Sequence, residues 1–285
     1  IIHGLLIGSL YAVLSVGLTI LFGIMKVINS AHGEIYLIGG YVAYATLAIV
    51  NPYLALLVSL FVGFLTGLTM VKLMYFPVER LKIPEADKHM IFVVSTFGLS
   101  IFLQNIVLLI WGPMPVRAQP FLTETISFAG ISIYQQRLFI LVVTVCVMSA
   151  LFIMLFKTKA GLALRALSQD VETAKSMGVK VAKFYALNCG LAMMLAALGG
   201  AIASPIFFLA PAAGVRVTFK AFAIVVLGGM GSVWGALLGS LILGVAESLT
   251  VLILGEQWAL VVFFVFMIVT LLIRPTGIFG EERLV

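Results

Sequence analysis

Residues Gly4–Tyr41 read GLLIGSLYAVLSVGLTILFGIMKVINSAHGEIYLIGGY. The run Leu5–Met25 holds no charged residue over 21 positions, enough to cross roughly 30 Å of hydrocarbon as an α-helix. It gives way to Asn29, His32 and Glu34, with Gly33, Gly39 and Gly40 close by, before apolar residues resume. Two readings fit this polar cluster. It is a turn between two membrane helices, with Asn29 or Ser30 capping the second, or it is a broken-helix gate in which His32 and Glu34 pair across a cavity, since ionisable residues at membrane depth are costly and usually functional.

The rest of the chain repeats the pattern. It is 63% hydrophobic and only 10% charged, with a mean hydropathy of +1.24, a composition for lipid and not for water. Apolar spans fall at 5–25, 35–50, 53–71, 91–111, 138–156, 184–209, 221–227, 235–254 and 258–273. The expected fold is an all-α polytopic integral membrane protein of 8–9 segments, a single domain over residues 1–285. The seventh span is too short to cross alone. Gly228, Gly229 and Gly231 follow it, so a broken or re-entrant segment is expected near 219–235, buried in protein or lining a wet cavity. Cys146 and Cys189 fall inside apolar runs, where a thiol acts as a small hydrophobe.

Basic residues set the orientation. If the loop 157–183 is cytoplasmic and each span changes side, Lys26, Lys72, Arg80, Lys82, Lys88, Lys157, Lys159, Arg165, Lys175, Lys180, Lys183, Arg274 and Arg283 lie inside, and Arg117, Arg137, Arg216 and Lys220 outside. That is 13 against 4 of the 17 basic residues, a positive-inside bias that places the C-terminus and the loop in the cytoplasm and Asn29, His32 and Glu34 near the inner side. The net charge of +6 therefore answers to the lipid bilayer, and no nucleic-acid partner is expected.

The loop LALRALSQDVETAKSMGVKVAKF, residues 162–184, places Leu164, Leu167, Val171, Ala174 and Met177 on one face of a helix. Ser168 or Asp170 caps its start, Glu172 suits the positive end, and Gly178 stops it. Such a helix lies on the membrane surface or docks into a groove on a cytoplasmic partner. Glu172-Thr173-Ala174 followed by Gly178 resembles the coupling loop of bacterial ABC importer permeases, with threonine at the middle position. The stretch 4–41, STFGLSIFLQN at 95–105, VLGGMGSVWGALLGSLILGVAES at 226–248 and RPTGIFG at 274–280 together resemble the LivH-type permeases of branched-chain amino acid importers.

That resemblance implies a permease of the bacterial inner membrane, paired with a second homologous permease as a heterodimer. It implies two cytoplasmic ATPases and a periplasmic or lipid-anchored binding protein. It assigns coupling to Glu172, Ala174 and Gly178; Arg165 nearby is either a further coupling residue or a positive-inside anchor. The chain has no Gly-x4-Gly-Lys-Ser/Thr loop, so it is not expected to be an enzyme or to hold a cofactor; ATP and Mg belong to the partner ATPases.

Glu247 lies well inside the span 235–254, where a charge must face protein or water. Gln104 and Asn105 raise the same question, and interhelical hydrogen bonding is expected of them. Asn29, His32, Glu34, Gln104, Asn105 and Glu247 are thus the pathway or gate candidates. Gly231, Gly235 and Gly239 repeat at four residues, as do Ala192, Ala196, Gly200 and Ser204, which marks packing faces. A related urea or short-chain amide permease is the nearest alternative. An ion-coupled secondary transporter would use Glu247 and leave the 172–178 motif unexplained. Metal chemistry has no support, since His3, His32 and His89 are scattered.

Overall fold

The computed structural model describes residues 2–122, 125–128 and 131–280. The helices are α1 (Ile2–Met25), α2 (His32–Leu47), α3 (Pro52–Met70), α4 (Phe76–Glu79), α5 (Glu85–Trp111), α6 (Gln135–Lys157), α7 (Lys159–Gln169), α8 (Val171–Ser176), α9 (Val181–Ala203), α10 (Ala213–Gly228), α11 (Val233–Leu254) and α12 (Ala259–Ile273). A π-helical turn at Val71–Tyr75 carries α3 into α4. The protein is a multi-pass membrane protein: among the described residues, seven helical segments are long and apolar enough to span a bilayer.

The membrane-spanning part is all-α as expected, and the one addition to it is small. The loop between α5 and α6 contains an antiparallel hairpin, β1 (Thr125–Phe128) and β2 (Ile131–Tyr134), with Thr125 opposite Tyr134. Arg283, counted above among the inner charges, lies outside the described residues.

Local chemistry sets the helix ends. Asn51 accepts the Leu54 N–H at 2.9 Å with Pro52 opening α3, and Ser232 accepts the Gly235 N–H at 3.1 Å to open α11. Gly112 (φ +77°) and Gly255 (φ +96°) end α5 and α11 in conformations a side chain resists.

Helices α1 and α9 form the centre. They run antiparallel, with Gly17 against Ala192 and the Asn188 amide donating to the Ile20 carbonyl. Around them α2 and α3 pack through small residues. A Cβ on Gly200 would fall 1.7 Å from the Tyr36 carbonyl oxygen, and one on Gly67 would fall 2.5 Å from that of Cys189. Leu109, Leu252 and Leu272, on α5, α11 and α12, are at least 80% exposed and form part of an apolar outer belt. Gly235 meets Gly228, Gly231 meets Gly23, and Gly239 faces Ile224, so this glycine stripe packs within the chain.

Two apolar helices fall outside those seven spans, and they decide the architecture. Both α2 and α10 have 16 residues. His32, at the start of α2, lies 3.0 Å from the Leu14 carbonyl, roughly 17 Å from either end of α1. The chain therefore leaves α1 at Met25, turns at Lys26 (φ +55°) and re-enters to mid-depth before α2 begins. The second break mirrors the first. Residues 204–212 descend from the opposite end, where Leu209 pairs with Val116, and α10 starts at mid-depth beside Glu34. The expected seventh span at 221–227 is thus the second half of a longer helix that begins at Ala213.

Candidate functional site

The two half-helices meet by their N-termini. Gly33 N–H donates to Thr218 Oγ1 of α10 at 2.9 Å, and Thr218 Oγ1 also lies 3.4 Å from the Ser30 carbonyl oxygen. A Cβ on Gly33 would fall 2.1 Å from the Gly214 carbonyl oxygen, so α2 and α10 touch backbone to backbone. The capping expected from Asn29 or Ser30 is replaced by this contact. Ala31 holds the N-cap position without a side-chain bond, and Asn29 Oδ1 instead accepts the Ala31 N–H at 3.0 Å. Neither side chain accepts an N–H from within α2, because the chain turns at Ser30–Ala31 before the helix starts.

Asn29, His32 and Glu34 are fully buried at mid-depth, not at an inner-side turn. Asn29 Nδ2 rests 3.5 Å from the Met193 sulfur and 3.6 Å from that of Met70. A carbonyl only accepts, so His32 Nε2 carries the proton donated to Leu14, which leaves Nδ1 without a partner. Glu34 Oε1 accepts from Ser100 of α5 at 3.3 Å, and Oε2 has no partner. His32 and Glu34 do not pair with each other. The Glu34 carboxyl lies against Gly214, where a Cβ would come within 2.4 Å of it.

Along the break, burial alternates. Val27, Asn29 and Ala31 are buried, whereas Lys26 and Ile28 are exposed and Ser30 is half-buried. Ser30 is bracketed by Thr96 of α5, which accepts its N–H at 3.2 Å, and by Thr218 of α10. Helices α5 and α10 thus flank a seam that runs from Lys26 to mid-depth.

Glu247 forms an ion pair with Lys220, whose ammonium also donates to the Tyr11 hydroxyl at 2.8 Å and lies over the Tyr11 and Phe263 rings. Lys220 and Arg216 were expected outside the membrane. They belong instead to α10, and hydropathy misplaced them because their charges masked the start of that helix. Asn105 is exposed on α5 and donates to Ile101 of its own helix at 2.7 Å, not across helices; Gln104 beside it is half-buried.

The loop arm also differs from the single helix expected. Asp170, extended at φ −151°, ends α7 and caps α8 by accepting the N–H groups of Glu172 (2.9 Å) and Thr173 (3.1 Å) and the Thr173 hydroxyl (2.7 Å). Those bonds, the hydroxyl's foremost, hold the Asp170 carboxyl below its ordinary range. Leu164, Leu167 and Ala174 are buried against the chain's own core, while Met177 is 82% exposed. Ala174 therefore faces inward, and the outward surface consists of Glu172, Thr173, Lys175, Ser176, Met177 and Gly178. Arg165 donates to the Leu155 carbonyl and lies over the Phe156 ring, tying α7 to the end of α6. Hollows of about 360 and 600 Å³ flank Lys26 between this arm and the membrane helices.

The sequence is similar to known proteins along nearly its whole length. Residues 1–271 match the family model described as the permease component of the branched-chain amino acid transport system. The chain is 33% identical to the high-affinity branched-chain amino acid transport system permease protein LivH of Escherichia coli K12, over 99% of this chain and 94% of that one. It is 32% identical to BraD of Pseudomonas aeruginosa, over 99% and 95%. The protein of Methanocaldococcus jannaschii named "Probable branched-chain amino acid transport permease protein LivH" is 30% identical over 99% and 92%. The match runs through both half-helices and the α7–α8 arm, and the chain belongs to the family of branched-chain amino acid transport system permease components.

Proposed function

We propose that this chain is one permease of an ATP-driven importer that carries branched-chain amino acids across the bacterial inner membrane. A second, homologous permease completes the membrane unit, a periplasmic or lipid-anchored binding protein delivers substrate, and two cytoplasmic ATPases, holding ATP and Mg, dock on α8. On this reading α2 and α10 complete nine crossings, with the re-entrant segments 26–31 and 204–212 included. The observation that carries it is the α7–α8 arm. Its outer end is polar except for Met177, and its inner face is fastened to α6 by Arg165 and to the core by Leu164 and Leu167.

Such an arm transmits motion as a unit. When the ATPases close, a push on Glu172–Gly178 passes through α7 to α6, and through the buried leucines to the core where α1 ends beside the seam. The motion shifts the transport equilibrium only if the docked contact differs between the two states. Glu172 offers a carboxylate to hydrogen-bond donors of the partner, and Gly178 sets the exit angle of the chain.

The test is gentle purification from the native membrane, identification of the bound proteins, and an ATPase assay with the binding protein added. Co-purification of a second permease and two ATPases, with stimulation by leucine and not by urea, is the expected result. Stimulation by urea would transfer the chain to an amide importer. A chain that purifies alone and moves solute down an ion gradient would end the importer reading.

A further inference from the structure

Arg216 is exposed, yet it lies at the centre of the membrane. It is two residues from Gly214, which touches Glu34, and two from Thr218, which bonds Gly33. At 1.5 Å per residue it stands roughly 18 Å from the end of α10 at Gly228. Among the described residues it makes no hydrogen bond or ion pair, unlike Lys220 one turn further along the helix. A guanidinium at that depth does not face lipid without large cost.

Arg216 also stands in the first turn of α10, the positive end of the helix dipole, where a cation is unfavourable unless an anion is present. Ala212 gives that turn no side-chain cap. On the buried side of the same turn lies Glu34, its Oε2 unpartnered and its carboxyl against Gly214. One helical turn therefore carries an unneutralised cation on its open side and an unsatisfied carboxyl on its closed side. Val215 and Phe219, both exposed and one and three residues from Arg216 on α10, set apolar surface beside the cation.

We propose that the first turn of α10 is the mid-membrane contact for a small zwitterion with an aliphatic side chain, its carboxylate taken by Arg216 and its ammonium by Glu34. This rests on the importer reading and names the contact within it. A guanidinium binds a carboxylate in bidentate fashion, and the apolar neighbours suit a branched aliphatic group. Gly214 separates the two poles in the present conformation, so the carboxylate is met first and the ammonium contact forms when α10 shifts. An acidic residue on the second permease would neutralise Arg216 but leave the Glu34 oxygen without a purpose.

The experiment uses the complete transporter in proteoliposomes, with binding protein outside and ATP inside, and reads leucine moved per ATP hydrolysed. Arg216→Gln is expected to lower that ratio about ten- to a hundredfold, the loss of a charge-assisted pair, and Arg216→Lys to recover part of it. Glu34→Gln, which keeps the shape, is expected to lower it as well. An unchanged ratio in Arg216→Gln would overturn the proposal. So would an Arg216→Gln complex that loses its second permease, because the arginine would then be an interface group. A wild-type complex that moves no leucine would instead remove the importer reading itself.

Discussion

Gly178 and Asp170 bracket the exposed end of α8, and each constrains the backbone differently. Gly178 holds φ +86° with open space where a Cβ would go, so Gly178→Ala strains the backbone by about 1–2 kcal/mol without a clash. The expected outcome for the bulkier Gly178→Val is normal membrane insertion with transport cut by the altered exit angle, read as uptake against protein recovered in membranes. Asp170 works through its charge and its acceptor oxygens. Its carboxyl is held below the usual 3.8, so the stabilisation is fully present above that value and is lost only as pH falls through the lower folded value. Asp170→Ala is therefore expected to weaken ATPase stimulation by the loaded binding protein evenly between about pH 5 and 8, leaving the shape of the pH profile unchanged. A change of shape in that window would assign Asp170 a protonation role that its cap geometry does not support.

Between elements, close approach and one ion pair set the fit. Gly200 lets α9 lie against the Tyr36 carbonyl of α2, and the added methyl of Gly200→Ala has nowhere to go but backbone. The expected loss is about 3 kcal/mol, seen as a lower Tm in detergent, whereas Gly98→Ala, with nothing within 4 Å on α5, leaves the Tm unchanged. The Lys220–Glu247 pair joins α10 to α11. Lys220→Met abandons a carboxylate that is 9% exposed and is expected to cost about 3–5 kcal/mol, while adding Glu247→Leu restores much of the loss. These contacts also show what the sequence made legible. Four-residue stripes of small side chains announce helix contact, and Glu247 announced a charge that needs company. The partner lay hidden because Lys220 and Arg216 depress local hydropathy, so α10 reads as starting at Ala221 and its first two turns vanish. A similar limit applies to α7 and α8, where the apolar spacing is continuous and only the extended backbone at Asp170 divides the helix.

At the scale of the molecule, the long helices follow from composition, but the meeting of two half-helices depends on contacts between residues some 180 positions apart, such as Gly33 with Thr218. With Arg216 and Lys220 drawn into the membrane, Arg117 and Arg137 alone remain of the four basic residues assigned outside, which sharpens the charge asymmetry. Two breaks entering from opposite ends make a further prediction. In a background where exposed Cys146 and buried Cys189 are replaced by alanine, Ser30→Cys lies on the seam that opens toward Lys26 and the α7–α8 arm. Ala212→Cys, exposed at the head of α10, lies on the opposite approach, which passes Phe208. A membrane-impermeant thiol reagent is expected to reach the first from the side of the arm only and the second from the far side only. Val145→Cys, on the outer apolar face of α6, should resist the reagent from both sides because lipid covers it. Labelling of both seam positions from one side would place the two breaks in a common vestibule and remove the inverted arrangement, whereas opposite-sided labelling makes the junction of α2 and α10 the barrier a solute must pass.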